Sequence, residues 1–355
     1  MKRIHGGKRL AHPDDVLDFS TNVNRFGPPE GVRRLFAGDL AEDIASYPDP
    51  DYPDLKQALC EYTGRGPDEI FLSNGSVEVF YWINYLLRPE RILVVSPSFC
   101  EYILSGQSAG AEIIEHFLVP EEGFTLGIKQ VLRRAGNADL VILANPNSPT
   151  GNLFSRDALL ELASSLKPGA TLLVDEAFMD FCEKKDEHAL LSHINDKIWV
   201  SRSLTKFFSL AGLRIGYFVA PSEVVAKLEE KTPPWRVNRF AEMASLAALS
   251  DGEFISSIPG RTAAARERFT KSLESTNNLK PFPAAANFIL VAVEHDFLDA
   301  PRLKDLLFPR GFLIRDASSF SGLSEKFIRL CVRKEEENAA LVEELKVLLS
   351  RGESS

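Results

Sequence analysis

From residue 69 onward, short apolar runs alternate with longer stretches in which apolar positions recur every three or four residues. The runs at 69–72, 91–96, 112–117, 140–144, 171–174, 197–200 and 214–219 predict seven strands, and the stretches at 76–87, 99–106, 156–166 and 222–230 predict helices between them. Such alternation predicts an α/β fold with a mostly parallel seven-stranded sheet covered on both faces, in which ligands sit at the carboxyl ends of the strands. Residues 238–277 read as continuously helical. Strands at 287–293, 311–314 and 326–331 then mix with helices at 302–307 and 335–349, an α+β pattern that places a domain boundary near residue 250. The expected organisation is an N-terminal arm with part of the small domain over 1–40, a large domain over 41–249 and a small α+β domain over 250–355. The arm is rich in turn formers and small polar residues. It either packs across another subunit or the body of the fold, or lays polar groups such as His5 and Asn24 over a site. The proline-rich loop from Tyr47 to Pro53 leads into a predicted helix over 54–62 with Asp54 as its cap.

Composition narrows the class without naming a chemistry. A chain of 355 residues, 45% hydrophobic and 26% charged, is an ordinary globular protein. Its net charge of -9 argues against a general nucleic-acid binder and makes any cluster of arginines stand out as a specific anion site. No apolar run approaches the roughly 20 residues of a membrane span. The first residues lack the apolar segment of a signal peptide, so the expected location is cytoplasmic. Four cysteines and six histidines lie scattered without paired spacing, which predicts neither a disulfide framework nor a metal site.

The candidate chemistry falls at the predicted strand ends. Between the runs 197–200 and 214–219 lie Ser203, Thr205, Lys206 and Arg214: two hydroxyls, an amine and a guanidinium in one short connection. That cluster suits a phosphorylated aldehyde, the amine for a Schiff base and the others for a dianionic phosphate, and the cofactor of that description is pyridoxal phosphate. The turn Ser73-Asn74-Gly75-Ser76 stands between a strand and a helix, where backbone amides approach a phosphate. Asn145-Pro146-Asn147-Ser148-Pro149 makes a rigid polar loop. Asp175 ends an apolar strand, as a helix cap or as the acid that holds a pyridinium nitrogen protonated. Phe99 either stacks on a flat ring or packs in the core.

These motifs, in this order, resemble those of the fold-type I pyridoxal-phosphate enzymes of the aspartate aminotransferase superfamily over nearly the whole chain. The resemblance implies that Lys206 carries the cofactor, Asp175 pairs with its ring nitrogen, Phe99 stacks on the ring, and Gly75, Ser76, Ser203 and Arg214 hold the phosphate. Asn147, Ser148 and Thr205 border the same cofactor. It also implies a homodimer with shared active sites, in which Tyr47 reaches the phosphate of the other subunit's cofactor. Two positions depart from the general pattern, Ser148 where an asparagine usually meets the ring oxygen and Phe178 where many aminotransferases have a tyrosine.

Within the superfamily the chain looks most similar to L-threonine-O-3-phosphate decarboxylases and, next, to histidinol-phosphate aminotransferases. His5-Gly6-Gly7 with Asp18 to Asn24, the turn Phe99 to Tyr102, Pro234 to Asn238, and Ile328 to Arg333 resemble the decarboxylase patterns, with Lys8 departing from them. The implied activity is decarboxylation of L-threonine O-3-phosphate to aminopropanol O-phosphate, the linker unit of cobalamin. The alternative is a histidinol-phosphate aminotransferase using 2-oxoglutarate. His5 and Asn24, with the cations Arg315, Arg329 and Arg333, are the implied substrate contacts, since a small substrate with both carboxylate and phosphate needs several positive groups close together.

Overall fold

The computed structural model describes residues 6–7 and 16–350. Its strands are β1 (Leu17–Asp18), β2 (Ile70–Ser73), β3 (Arg91–Ser96), β4 (Glu112–Phe117), β5 (Leu140–Ala144), β6 (Thr171–Asp175), β7 (Ile198–Ser203) and β8 (Gly216–Val219), followed by β9 (Leu279–Pro281), β10 (Phe288–Val293), β11 (Phe312–Leu313), β12 (Arg315–Asp316) and β13 (Phe327–Cys331). All seven runs expected between residues 69 and 219 join one sheet in the order β2-β8-β7-β6-β5-β3-β4. Only β8 runs antiparallel to its neighbours. Every residue of β5, β6 and β7 is buried, which is why these strands read as unbroken apolar runs: helices cover both faces.

The reversal of β8 matters for the site. Its amino end, preceded by Arg214, lies at the same edge as the carboxyl ends of β6 and β7, where Asp175 and Ser203 stand. A second sheet, β12-β13-β10-β9, is wholly antiparallel, and the helices Gly252–Glu274 and Glu335–Ser350 pack against it in a core of their own. The arm joins that side of the molecule through β1, which pairs in parallel with β11.

Several expectations need correction. The stretch 238–277 is two helices, Arg239–Leu249 and Gly252–Glu274, because Asp251 leaves the helical path and caps the second by accepting from the Phe254 amide at 2.9 Å. The predicted strand 311–314 splits into β11 and β12, which belong to different sheets. The segment before Gly216 is a short 3-10 turn, not strand, with Arg214 in the left-handed region. Asp54 lies inside the first turn of the helix Pro53–Thr63, and Tyr52 is the residue at its cap position. Among the described residues, five α-helices lie outside the expected pattern: Glu30–Phe36, Ala41–Ala45, Ile128–Ala135 and the single turns Lys185–His188 and Leu204–Phe207.

Candidate active site

The edge formed by these strand ends opens into a cavity of about 710 Å³. Among the described residues its lining carries four cations, Lys206, Arg214, Arg315 and Arg329, against two carboxylates, Glu101 and Asp175. Phe99, Ser76, Thr205 and Ser148 also line it, so most of the sequence-predicted site converges.

One end of the cavity is a cradle for an anion. Gly75 has φ +74°, and a Cβ built on it would lie 2.3 Å from Nη2 of Arg214, so the guanidinium rests directly on this turn. Gly216 keeps the other flank open, since its Cβ would fall 2.4 Å from the Ser76 amide nitrogen. The helix Val77–Leu87 begins there, adding its positive end to the Arg214 charge. Ser203 is absent from the lining; its Oγ lies 2.7 Å from Thr205 Oγ1 and accepts from the Thr205 amide, capping the short helix Leu204–Phe207 that carries Lys206.

Asp175 is buried at the tip of β6. Its Oδ2 accepts from Tyr102 Oη at 2.6 Å and its Oδ1 from the Ala177 amide at 3.0 Å. Burial raises its proton affinity, and the two hydrogen bonds oppose that by favouring the carboxylate. Lys206 is lowered to about 8, first by burial and then by the charges of Arg214 and Arg329, with Asp175 pulling the other way. An amine so tuned is available as a nucleophile near neutral pH. The donor set therefore fits pyridoxal phosphate: a cradle closed to any Cβ for the phosphate, a buried acid for the ring nitrogen, the Phe99 face for the ring and a low-pKa amine for the aldehyde.

A second anion region lies with Arg315 and Arg329, both buried. Arg329 donates from Nη1 to Ser148 Oγ at 3.0 Å and from Nη2 to the Ser20 carbonyl at 3.0 Å, while its Nε has no partner. Burial lowers its pKa, and the neighbouring Arg315 cation lowers it further. Arg315 donates from Nη2 to Ser319 Oγ at 2.6 Å, and the Phe320 ring lies under both guanidiniums. Two buried cations that repel one another could hold an anion between them.

Other candidates lie elsewhere. Arg333 does not line the cavity: both oxygens of Glu337 accept from it, and its Nη1 donates to the Asp18 carbonyl at 2.8 Å. Asn24 is spent on the lysine helix, its amide donating to the Lys206 carbonyl at 3.0 Å and its Nδ2 to that of Phe207 at 2.9 Å. Asn147 binds the Pro97 carbonyl at 3.0 Å, beneath the lining. Tyr47 is 81% exposed on the outer surface with its ring 4.9 Å from that of Trp235. His5 falls outside the described residues. Sequence reasoning missed Asn22, which lines the cavity with both side-chain polar atoms buried and unpartnered, as well as Tyr102, Ser319 and Phe320.

The sequence matches the family model described as aminotransferase class I and II over residues 14–345. It is 32% identical over 340 residues to the threonine-phosphate decarboxylase of Salmonella typhimurium, spanning 95% of this chain and 92% of that one. It is also 32% identical over 337 residues to histidinol-phosphate aminotransferase 2 of Archaeoglobus fulgidus, covering 94% of each. Among solved structures, L-threonine-O-3-phosphate decarboxylase from Porphyromonas gingivalis superposes with a TM-score of 0.83 at 26% identity, over 94% of this chain and all of that one.

Proposed function

Because the chain belongs to the class I and II aminotransferase family, we propose that it is a pyridoxal-phosphate-dependent carboxy-lyase that converts L-threonine O-3-phosphate to aminopropanol O-phosphate. The observation that carries this reading is the buried pair Arg315 and Arg329 sharing one cavity with Lys206. A doubly anionic, short substrate matches two cations set close together better than a longer, singly anionic one does.

Arg214, the Ser76 amide and the start of the following helix hold the cofactor phosphate. Asp175, whose Oδ2 accepts from Tyr102, pairs with the ring nitrogen, and Phe99 covers the ring face. When bound, pyridoxal phosphate supplies a carbonyl that captures the substrate amine and a protonated ring that takes up the electron pair released at Cα. Arg329 and Arg315 hold the carboxylate and phosphate of the substrate and orient the Cα–carboxylate bond, rather than the Cα–H bond, for cleavage. Asn22, which lines the same cavity, completes that grip. Lys206 Nζ gives the proton that replaces carbon dioxide at Cα. Arg333 and Asn24 act one step back, fixing the arm to the smaller sheet and to the lysine helix.

The reading includes a homodimer. Tyr47 and Trp235 form an exposed aromatic pair, and Ile44 and Phe36 are likewise exposed on neighbouring elements, an apolar surface suited to a second copy. Among the described residues no helix is long and apolar enough to cross a membrane.

The cofactor-loaded protein, given L-threonine O-3-phosphate without any keto acid, is expected to release carbon dioxide over many turnovers. A relative named histidinol-phosphate aminotransferase 2 is 32% identical to this chain, the same figure as for the Salmonella decarboxylase. No carbon dioxide, with turnover of histidinol phosphate on addition of 2-oxoglutarate, would replace this reading by that one.

A further inference from the structure

Glu115 stands on β4, the edge strand of the large sheet, and does not line the cavity. Its carboxylate nevertheless joins two parts of the cavity wall. Oε1 accepts from Ser96 Oγ at 2.7 Å, at the end of β3 just before the segment that carries Phe99. Oε2 accepts from Ser321 Oγ at 3.1 Å, on the loop between β12 and β13. That loop supports both substrate-side cations: Ser319 accepts from Arg315, and the Phe320 ring lies 5.0 Å from Cζ of Arg315 and 5.6 Å from Cζ of Arg329. The same strand touches the loop again two residues on. Gly322 has φ +90°, and a Cβ there would fall 2.7 Å from Cδ1 of Phe117, so the loop backbone rests on that ring.

We propose that Glu115 is a positioning residue for the substrate's anion site, a latch that sets the loop bearing Ser319 and Phe320 at a fixed distance from the β3 wall bearing Phe99. The inference rests on the reading of Arg315 and Arg329 as that anion site. Its physical basis is that each serine hydroxyl meets a full negative charge, which makes these bonds stronger than neutral ones, and that one carboxylate makes both. Freed from Glu115, the stretch around Ser321 keeps its turn hydrogen bonds, the Arg315–Ser319 bond and its apolar packing, but no side-chain tie to β4. Ser319 and Phe320 would then be held less firmly against the two arginines.

The test uses the full, cofactor-loaded chain with Glu115→Ala and Ser321→Ala, singly and combined. Hydrogen exchange is read over residues 317–323, inorganic phosphate is titrated as the anion probe, and KM and kcat are measured with L-threonine O-3-phosphate. Either single variant should speed exchange in the loop, weaken phosphate binding and raise KM, each about tenfold, with kcat and the absorbance of the bound cofactor little changed. The double variant should be no worse than Glu115→Ala alone. Ser321→Ala leaves the Ser96 bond in place, so it reads the latch even where Glu115→Ala costs stability. Unchanged exchange in Ser321→Ala, or additive effects in the double variant, would overturn the latch whatever phosphate does. Faster exchange in a protein that binds no phosphate would instead count against the anion-site reading and leave the latch standing.

Discussion

Tyr102 donates its phenolic proton to Oδ2 of Asp175 at 2.6 Å, and both groups are buried. Burial raises the proton affinity of each, so the phenol stays protonated and the carboxylate stays dependent on its donors. A hydrogen bond to a charged group contributes about 1.5–3 kcal/mol. Tyr102→Phe should therefore weaken cofactor binding by about 10- to 150-fold while the fold, read by circular dichroism, stays intact. Equilibrium dialysis of the cofactor checks it.

Arg329 and Arg315 carry the substrate in the proposed reading. Removing one partner of a buried charged contact costs about 2–5 kcal/mol. Arg329→Ala should lower kcat/KM for L-threonine O-3-phosphate by about 30- to 4,000-fold, with cofactor affinity changed far less. Steady-state carbon dioxide release measures the first and dialysis the second.

Lys206 sets a pH dependence whose sign follows from its lowered pKa of about 8 against the ordinary lysine value of 10.5. The cofactor-free folded protein loses this proton near pH 8, whereas the unfolded chain keeps it to higher pH. The unfolded state thus binds more protons in that window, and stability should rise with pH from about 8 towards 10.5. Lys206→Met should remove the rise, which thermal melts across that range would show. Arg329→Ala should shift the rise upward, since its positive charge is one cause of the depression.

Gly75 admits no side chain beside Arg214. Gly75→Ala forces a left-handed backbone on a residue with a Cβ and drives that Cβ into the guanidinium. Affinity for pyridoxal phosphate should fall tenfold or more, on the order of one lost charge-assisted contact. Affinity for pyridoxal, which lacks the phosphate, should change little.

The large sheet was legible because β5, β6 and β7 are buried on both faces and so leave unmistakable apolar runs between polar connections. Lys206 and Asp175 were legible for the same reason: polar residues at the ends of such runs stand out. The helix Ile128–Ala135 was missed although its polar and apolar faces are clear, because it is only eight residues long between two loops. Arg333 and Asn24 show a different limit. Their residue types suit a ligand, yet each is consumed by a partner far away or on a following turn, Glu337 for one and the lysine helix for the other. Asn22 is the converse, an ordinary residue in a turn-rich arm that lines the cavity and whose side-chain polar atoms are buried without a partner among the described residues. Single-residue chemistry cannot separate these three; the packing around them does.

The helix that carries Lys206 has four residues, and the carbonyls of Lys206 and Phe207 are met by Asn24, which lies 183 residues from Phe207 in sequence. So short a helix has no stability of its own. Closing so long a stretch of chain is among the costliest steps in assembly, and contacts of such separation form late. The nucleophile is thus expected to be fixed only after the sheet around it exists. Proteolysis of the arm would silence the enzyme while leaving most of its architecture standing.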